Sequence, residues 1–414
     1  MTMRAALLFL LLASGALAAA YLVRCIVGGG REVAPGSGLN NTETTPRQNT
    51  SSHLVVHSAI GSADVVAPED CTGFPCLIFN DEFDFLDHEV WEHEITMSGG
   101  GNWEFQMYIN NRSISYTRDS TLFIRPDLTS NWQTTDFLSS GDVNLWGMNG
   151  RGDVCTGNSY YGCERVGNPV NIINPVISAR LRTLENFAFK YGRIEVRAKL
   201  PRGDWLWPAI WLLPRYWPYG PWPASGEIDI MESRGNDDYS NLGNQYAATT
   251  FHWGPNWQTN LYERTHADYS ANDGSYANSF HTWRMDWTKD NIQVFVDDQL
   301  QITVDPGTNF WEFGGFDNSL DNPWKAGSKM APFDQKFYVV LNVAVGGVNG
   351  YFPDGVPSNP AKPWSNTSPQ AFLDFWNARD SWLPSWENGE GRVSENAALQ
   401  VDYVKVWKME SVEQ

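Results

Sequence analysis

The sequence predicts an all-β protein, a β-sandwich assembled from many short strands. Three observations carry this. From Cys71 onward, apolar runs of strand length alternate with turn clusters, and segments of helical period are scarce. Residues 193–200 alternate cleanly, with Ile194, Val196, Ala198 and Leu200 on one face. Residues 336–345 and 399–407 are nearly continuous apolar runs, the pattern of strands buried on both faces.

In chain order, the first element is a targeting segment. Arg4 precedes an apolar run over residues 5–17, and Ala16-Leu17-Ala18 supplies a small-x-small cleavage site. Residues 1–18 are therefore expected to be a signal peptide, which makes the protein secreted and extracellular. The alternative is an uncleaved membrane anchor, because apolar residues continue to Val23. Residues 19–66 are rich in Gly, Ser, Thr, Asn and Pro and read as a flexible linker. Asn40 and Asn49 are glycosylation acceptors there, with Asn111 and Asn366 further on. The folded domain is expected over residues 67–410. Five cysteines in a secretory chain suggest two short disulfides, Cys71 with Cys76 and Cys155 with Cys163 by proximity, with Cys25 left over.

The chemistry concentrates in Gly226-Glu227-Ile228-Asp229-Ile230-Met231-Glu232-Ser233. Three carboxylates fall within six residues, and the residues between them are large and apolar. A regular strand would place Glu227 and Asp229 on one face and Glu232 on the other, among core residues. An unpartnered buried carboxylate is expensive, so a β-bulge at Ile230 or Met231 is predicted. The bulge returns Glu232 to the face of Glu227. Two carboxyls roughly 5–5.5 Å apart suit a retaining glycosidase, one as nucleophile and one as acid/base, with Asp229 bonded to the nucleophile. Crowded like charges raise one pKa and keep the acid protonated. The alternative is a solvated acidic edge strand.

Residues 247–253 are expected to form a neighbouring strand carrying His252, residues 291–297 another, and residues 370–380 a short helix. A formal charge of −19 excludes nucleic acid and anionic membranes as partners, since both select for basic patches. No Gly-rich phosphate loop points to a nucleotide. No Ser/His/Asp or Cys/His nucleophile stands out, and the cysteine spacings fit no zinc site. A neutral polysaccharide is compatible, and the 20 Trp, 16 Tyr and 21 Phe suggest why. Many of the Trp sit beside Pro, Gly and Asn in apparent loops, where their faces would be exposed for sugar stacking. Arg151-Gly152-Asp153 and Arg202-Gly203-Asp204 are tripeptides that bind integrins when displayed on a loop tip, although turn chemistry is the simpler reading.

The octet around Glu227 resembles the signature of glycoside hydrolase family 16, in the form E-x-D-x-x-E of β-1,3-glucanases. The flanks agree: Asn80-Asp81-Glu82-Phe83-Asp84, Gly99-Gly100-Gly101-Asn102-Trp103-Glu104-Phe105, Tyr191-Gly192-Arg193-Ile194-Glu195-Val196-Arg197, Trp207-Pro208-Ala209-Ile210-Trp211, Pro332-Phe333-Asp334-Gln335 and Leu341-Asn342-Val343-Ala344-Val345-Gly346-Gly347. The resemblance implies a jelly roll of two curved antiparallel sheets with a concave substrate cleft. It implies endo-acting, retaining hydrolysis of β-1,3-glucan, with Glu227 as nucleophile, Glu232 as acid/base and Asp229 assisting. The alternative is a non-catalytic β-1,3-glucan-binding lectin of innate immunity. No extra sugar-binding domain is expected before residue 67, a departure from the insect recognition proteins. Trp211, Trp222, His252, Asn110 and Arg112 match family positions that line the cleft, while core packing is the expectation for Trp207. Asp402 resembles a position that ligates a structural calcium; no cofactor is required. A monomer is expected.

Overall fold

The computed structural model describes residues 62–147, 154–317 and 319–410. The targeting segment, nearly all of the linker, Cys25, Asn40, Asn49 and Arg151-Gly152-Asp153 lie outside the described residues.

Alternation builds the first sheet. Gly192–Lys199 buries every second residue, and it lies between Leu399–Lys408 and His281–Trp287 in a nine-stranded antiparallel sheet. The Leu399–Lys408 strand departs from the expectation of burial on both faces. Only Leu399, Val401, Val404 and Val406 are buried. Its polar residues face outward and pair across strands instead: Tyr403 donates to Glu195 at 2.7 Å, Lys405 reaches Glu82 at 2.7 Å, and Asp402 pairs with Arg197. The Asp402 carboxylate, whose position resembles a calcium ligand, is thus engaged by a guanidinium.

The second sheet has seven strands. Its order is His266–Ser270, Tyr246–His252, Glu227–Ser233, Leu206–Pro214, Phe337–Val345, Arg180–Arg182 and Glu92–His93. Here the expectation of a doubly buried strand holds, since all nine residues of Phe337–Val345 are buried. Val339, Leu341 and Val343 join Ile210, Leu212, Ile228 and Phe251 in the main core, with Ile194, Val196, Trp283 and Met285 from the first sheet. Each such aliphatic side chain contributes about 1.5–3 kcal/mol on full burial. On the opposite face Tyr338 and Val340 form a small cluster with Leu213, and Trp211 packs against it. The result is the two-layered jelly roll that the sequence predicts.

The aromatic excess serves the core more than the surface. Trp91, Trp205, Trp253, Trp283, Trp287, Trp382 and Trp386 are fully buried. Five of these bond internally through the indole N–H: Trp91 to Asp81, Trp253 to Thr265, Trp287 to Phe333 O, Trp382 to Phe375 O and Trp386 to Asp204 O. Of the loop tryptophans beside Pro, Gly or Asn, Trp253 is buried, whereas Trp103, Trp146, Trp217, Trp222 and Trp257 keep exposed faces, as the sequence suggests. Residues 371–382 form two short helices, Ala371–Asn377 and Arg379–Trp382. Both proposed disulfides are present, Cys71–Cys76 and Cys155–Cys163. The second integrin-type tripeptide is not displayed: Asp204 is buried against Asn236, burial pushes its pKa up to about 6, and Arg202 pairs with Asp237. Among the described residues, no helix is long and apolar enough to cross a membrane.

Candidate active site

The seven-stranded sheet carries the acids. In the ladder between Glu227–Ser233 and Tyr246–His252, Asp229 stands opposite Thr250 and Glu232 opposite Ala248. Ile230 and Met231 therefore share the single partner Thr249. On the other side Met231 pairs with Ile210 and Asp229 with Trp211, which leaves Ile230 as the extra residue. The bulge lies where the cost of burying Glu232 requires it. The Thr249 hydroxyl donates to the Ile230 carbonyl at 2.8 Å, so the displaced backbone group keeps a partner. Ile228, Ile230 and Met231 are buried in the core, while Glu227 and Glu232 are half-buried.

Each acid is held differently. Glu232 accepts a 2.8 Å hydrogen bond from the Trp207 indole. That indole is stacked flat on Tyr351 at 3.8 Å, and the Tyr351 hydroxyl donates to the Ser233 carbonyl at 3.0 Å. Trp207 is buried, as expected, and its N–H also serves the site. Asp229 is the most enclosed, with a side chain 6% exposed, and its Oδ2 lies 3.3 Å from His252 Nε2. Glu227 Oε1 lies 3.7 Å from the same nitrogen. Burial, and then the neighbouring Glu232, hold Asp229 well above the usual carboxylate range. Burial, and then Asp229, push Glu227 up to about 8, while His252 pulls it down.

The His252 ring is oriented by Asn260. The Asn260 carbonyl oxygen accepts from the Trp253 backbone, so its amide nitrogen donates to His252 Nδ1 at 2.8 Å. The proton of a neutral imidazole then sits on Nε2, facing Asp229 and Glu227. Glu227, Asp229 and His252 each offer a ligand atom within 4.8 Å of the others. A metal would need the Nε2 lone pair, and turning Asn260 to supply it would cost Trp253 its acceptor. The trio is better suited to sharing protons.

The other sequence candidates divide. Trp222 is 38% exposed, and its ring lies 5.5 Å from that of His252, with Tyr262 at 5.3 Å from the same imidazole. Trp211 neighbours Asp229 in the ladder and bonds Asn342 at 2.7 Å. The Arg180 guanidinium covers one of its faces at 4.4 Å, leaving at most one face for a sugar. Asn110 and Arg112 are not brought to the acids. Arg112 bonds Asn110 and His93, and His93 belongs to the edge strand four positions from Glu227–Ser233, about 19 Å along the sheet. Sequence reasoning missed Arg180, Asn342, Asn260 and Tyr262. Only Asn342 lay in a quoted motif.

Two stacked sheets with a carboxylate triad on one of them define a jelly roll of the glycosidase type. The family model described as glycosyl hydrolases family 16 matches residues 167–315. A β-1,3-glucan-binding protein of Penaeus monodon is 75% identical over 353 residues, covering 85% of this chain and 96% of that protein. The chain belongs to glycosyl hydrolase family 16. Gram-negative bacteria-binding protein 1 of Drosophila melanogaster is 32% identical over 80% of this chain and 64% of its own length. The catalytic domain of a laminarinase from Thermotoga petrophila superposes with a TM-score of 0.50 at 22% identity, covering 81% of this chain and 98% of that domain. This last likeness concerns the fold alone.

Proposed function

We propose that this chain is a secreted, endo-acting, retaining β-1,3-glucanase. The observation that carries the reading is the bulge at Ile230, which spends a core strand's regularity on gathering three acids at one place. Glu232 protonates the glycosidic oxygen while Glu227 attacks the anomeric carbon, forming a glycosyl-enzyme. Glu232, now a carboxylate, deprotonates the water that releases it. Burial and the neighbouring Glu232 hold the Asp229 carboxyl well above the usual carboxylate range, which favours its protonated form. So protonated, it no longer repels charge on Glu227 and can donate a hydrogen bond to it, which frees the nucleophile for attack. Trp222 and the open face of Trp211 stack sugar rings.

Trp207 gives this reading a direct test. Trp207→Phe keeps an aromatic ring on Tyr351 but removes the N–H donated to Glu232. A hydrogen bond to a charged group is worth about 1.5–3 kcal/mol, so kcat is expected to fall about ten- to hundredfold with KM little changed. Unchanged kcat in a variant of wild-type melting temperature would dissociate the indole from the acid.

A second reading is a glucan-binding lectin without catalysis, favoured by the name of the Penaeus relative, a β-1,3-glucan-binding protein. A pure binder gains no grip on a neutral sugar from three mutually repelling acids. The deciding measurement is reducing-sugar release from laminarin, set beside retention on insoluble curdlan. Cleavage is expected; firm retention with no cleavage would establish the lectin instead.

A further inference from the structure

Away from the acids, a cavity of about 660 Å³ opens between the loop around residues 159–172 and the start of the Ala371–Asn377 helix. None of Glu227, Asp229, Glu232, Trp207, Trp211 or His252 lines it. Its walls include Trp103, Tyr160 and Tyr161, exposed by 44%, 50% and 75%. All three sit on left-handed backbone, at φ 54°, 53° and 60°. That region is costly for bulky residues and suits glycine. Rings so exposed offer the core little burial in return, so folding alone does not account for three of them at one cavity.

The loop is built to hold them. The Cys155–Cys163 disulfide closes the segment that contains both tyrosines. The Arg165 side chain clamps the strained carbonyls, donating to Tyr160 O at 2.9 Å and Tyr161 O at 3.2 Å, and it is itself held on Asn174 at 2.6 Å. Preorganised rings lose little entropy when a ligand arrives. Around them the lining charges cancel, one Glu164 against one Arg165, in a chain of net charge −19. Asn171 and Gln370 add amide donors and acceptors. Flat apolar faces, neutral amides and no net charge suit an uncharged, amphipathic ligand. The volume falls in the range of small-molecule sites, roughly 300–1,000 Å³.

We infer that this cavity is a second saccharide-binding site, separate from the acids, which takes a short run of neutral glycosyl units stacked on Tyr160, Tyr161 and Trp103. The choice of β-1,3-glucan as its sugar rests on the proposed function. A polysaccharide held at both places would be retained more firmly than by the cleft alone.

The test uses the full chain carrying Glu227→Gln, titrated calorimetrically with laminarihexaose. Two binding events per chain are expected. Adding Tyr161→Gly, which suits the left-handed backbone and leaves the fold intact, is expected to weaken one event about tenfold and spare the other. One event unaffected by Tyr161→Gly, or none, would overturn the second site. Laminarin cleavage by the wild type is scored separately. Cleavage with a single binding event removes only the second site, and two events without cleavage remove only the glucanase reading.

Discussion

Glu227→Gln is expected to lower laminarin hydrolysis by at least about a thousandfold while yielding a folded protein more stable than the wild type at pH 8. The rate loss follows from removing the proposed nucleophile, since a carboxamide cannot form the glycosyl-enzyme. The stability gain follows from the pKa. Glu227 has an ordinary value of 4.5 and is pushed up to about 8 in the fold. Between those values the unfolded chain has released a proton that the folded chain still holds. Stability from this group is fully present below about pH 4.5 and is lost as pH rises through 8. A neutral Gln avoids that loss. The two melting curves should converge at pH 4 and separate at pH 8, with the variant higher. A wild-type rate in the variant refutes the nucleophile assignment. A variant less stable at pH 8 refutes the claim that the clustered acids strain the fold.

The same cluster shapes the pH profile of activity. If Asp229 keeps its proton and Glu227 must lose one, the acid limb of kcat/KM belongs to the pair rather than to either residue. Burial and mutual repulsion place that limb above the usual carboxylate range. The contrast with the core is instructive. Ile228, Ile230 and Met231 hold the strand down, and that hold allows the same seven residues to keep three acids close together.

Much of this was legible from local pattern. The period-two alternation of residues 193–200 defined a strand, and a single out-of-phase acid defined the bulge, because a buried, unpaired Glu232 has no physical alternative. The doubly buried Phe337–Val345 strand was also readable, since nine apolar or amide residues leave no polar face. The equally apolar-looking Leu399–Lys408 strand was not. Its Gln400, Asp402 and Lys405 signal an outward face whose partners, such as Arg197 and Glu82, are distant in sequence. Distance also hid Asn260 and Arg180. Asn260 reaches His252 only because the chain turns between them, and Arg180 reaches Trp211 across the Phe337–Val345 strand. The core packing expected of Trp207 holds, and its bond to Glu232 went unread for a different reason. Core packing and service to the site are not exclusive for an indole, which buries its body while its N–H points at an acid. Asn110 and Arg112 were matched by motif alone, and they stand about 19 Å along the sheet from the acids.

Glu232→Gln is expected to produce the second large effect, with a signature that separates its role from that of Glu227. On laminarin the rate is expected to fall by about a thousandfold or more, because the leaving sugar hydroxyl departs only when protonated. On an aryl β-glucoside with a dinitrophenol leaving group, that proton is unnecessary, so glycosyl-enzyme formation is expected to survive largely intact. Deglycosylation still lacks its base, so product appears as a burst followed by a slow phase. Glu227→Gln, by contrast, loses both substrates and shows no burst. The structural basis is the different footing of the two acids. Glu232 is oriented by the Trp207 indole, and Glu227 shares the neighbourhood of Asp229 and His252. A Glu232→Gln protein equally inactive on both substrates, at an unchanged melting temperature, would take the acid/base role away from Glu232.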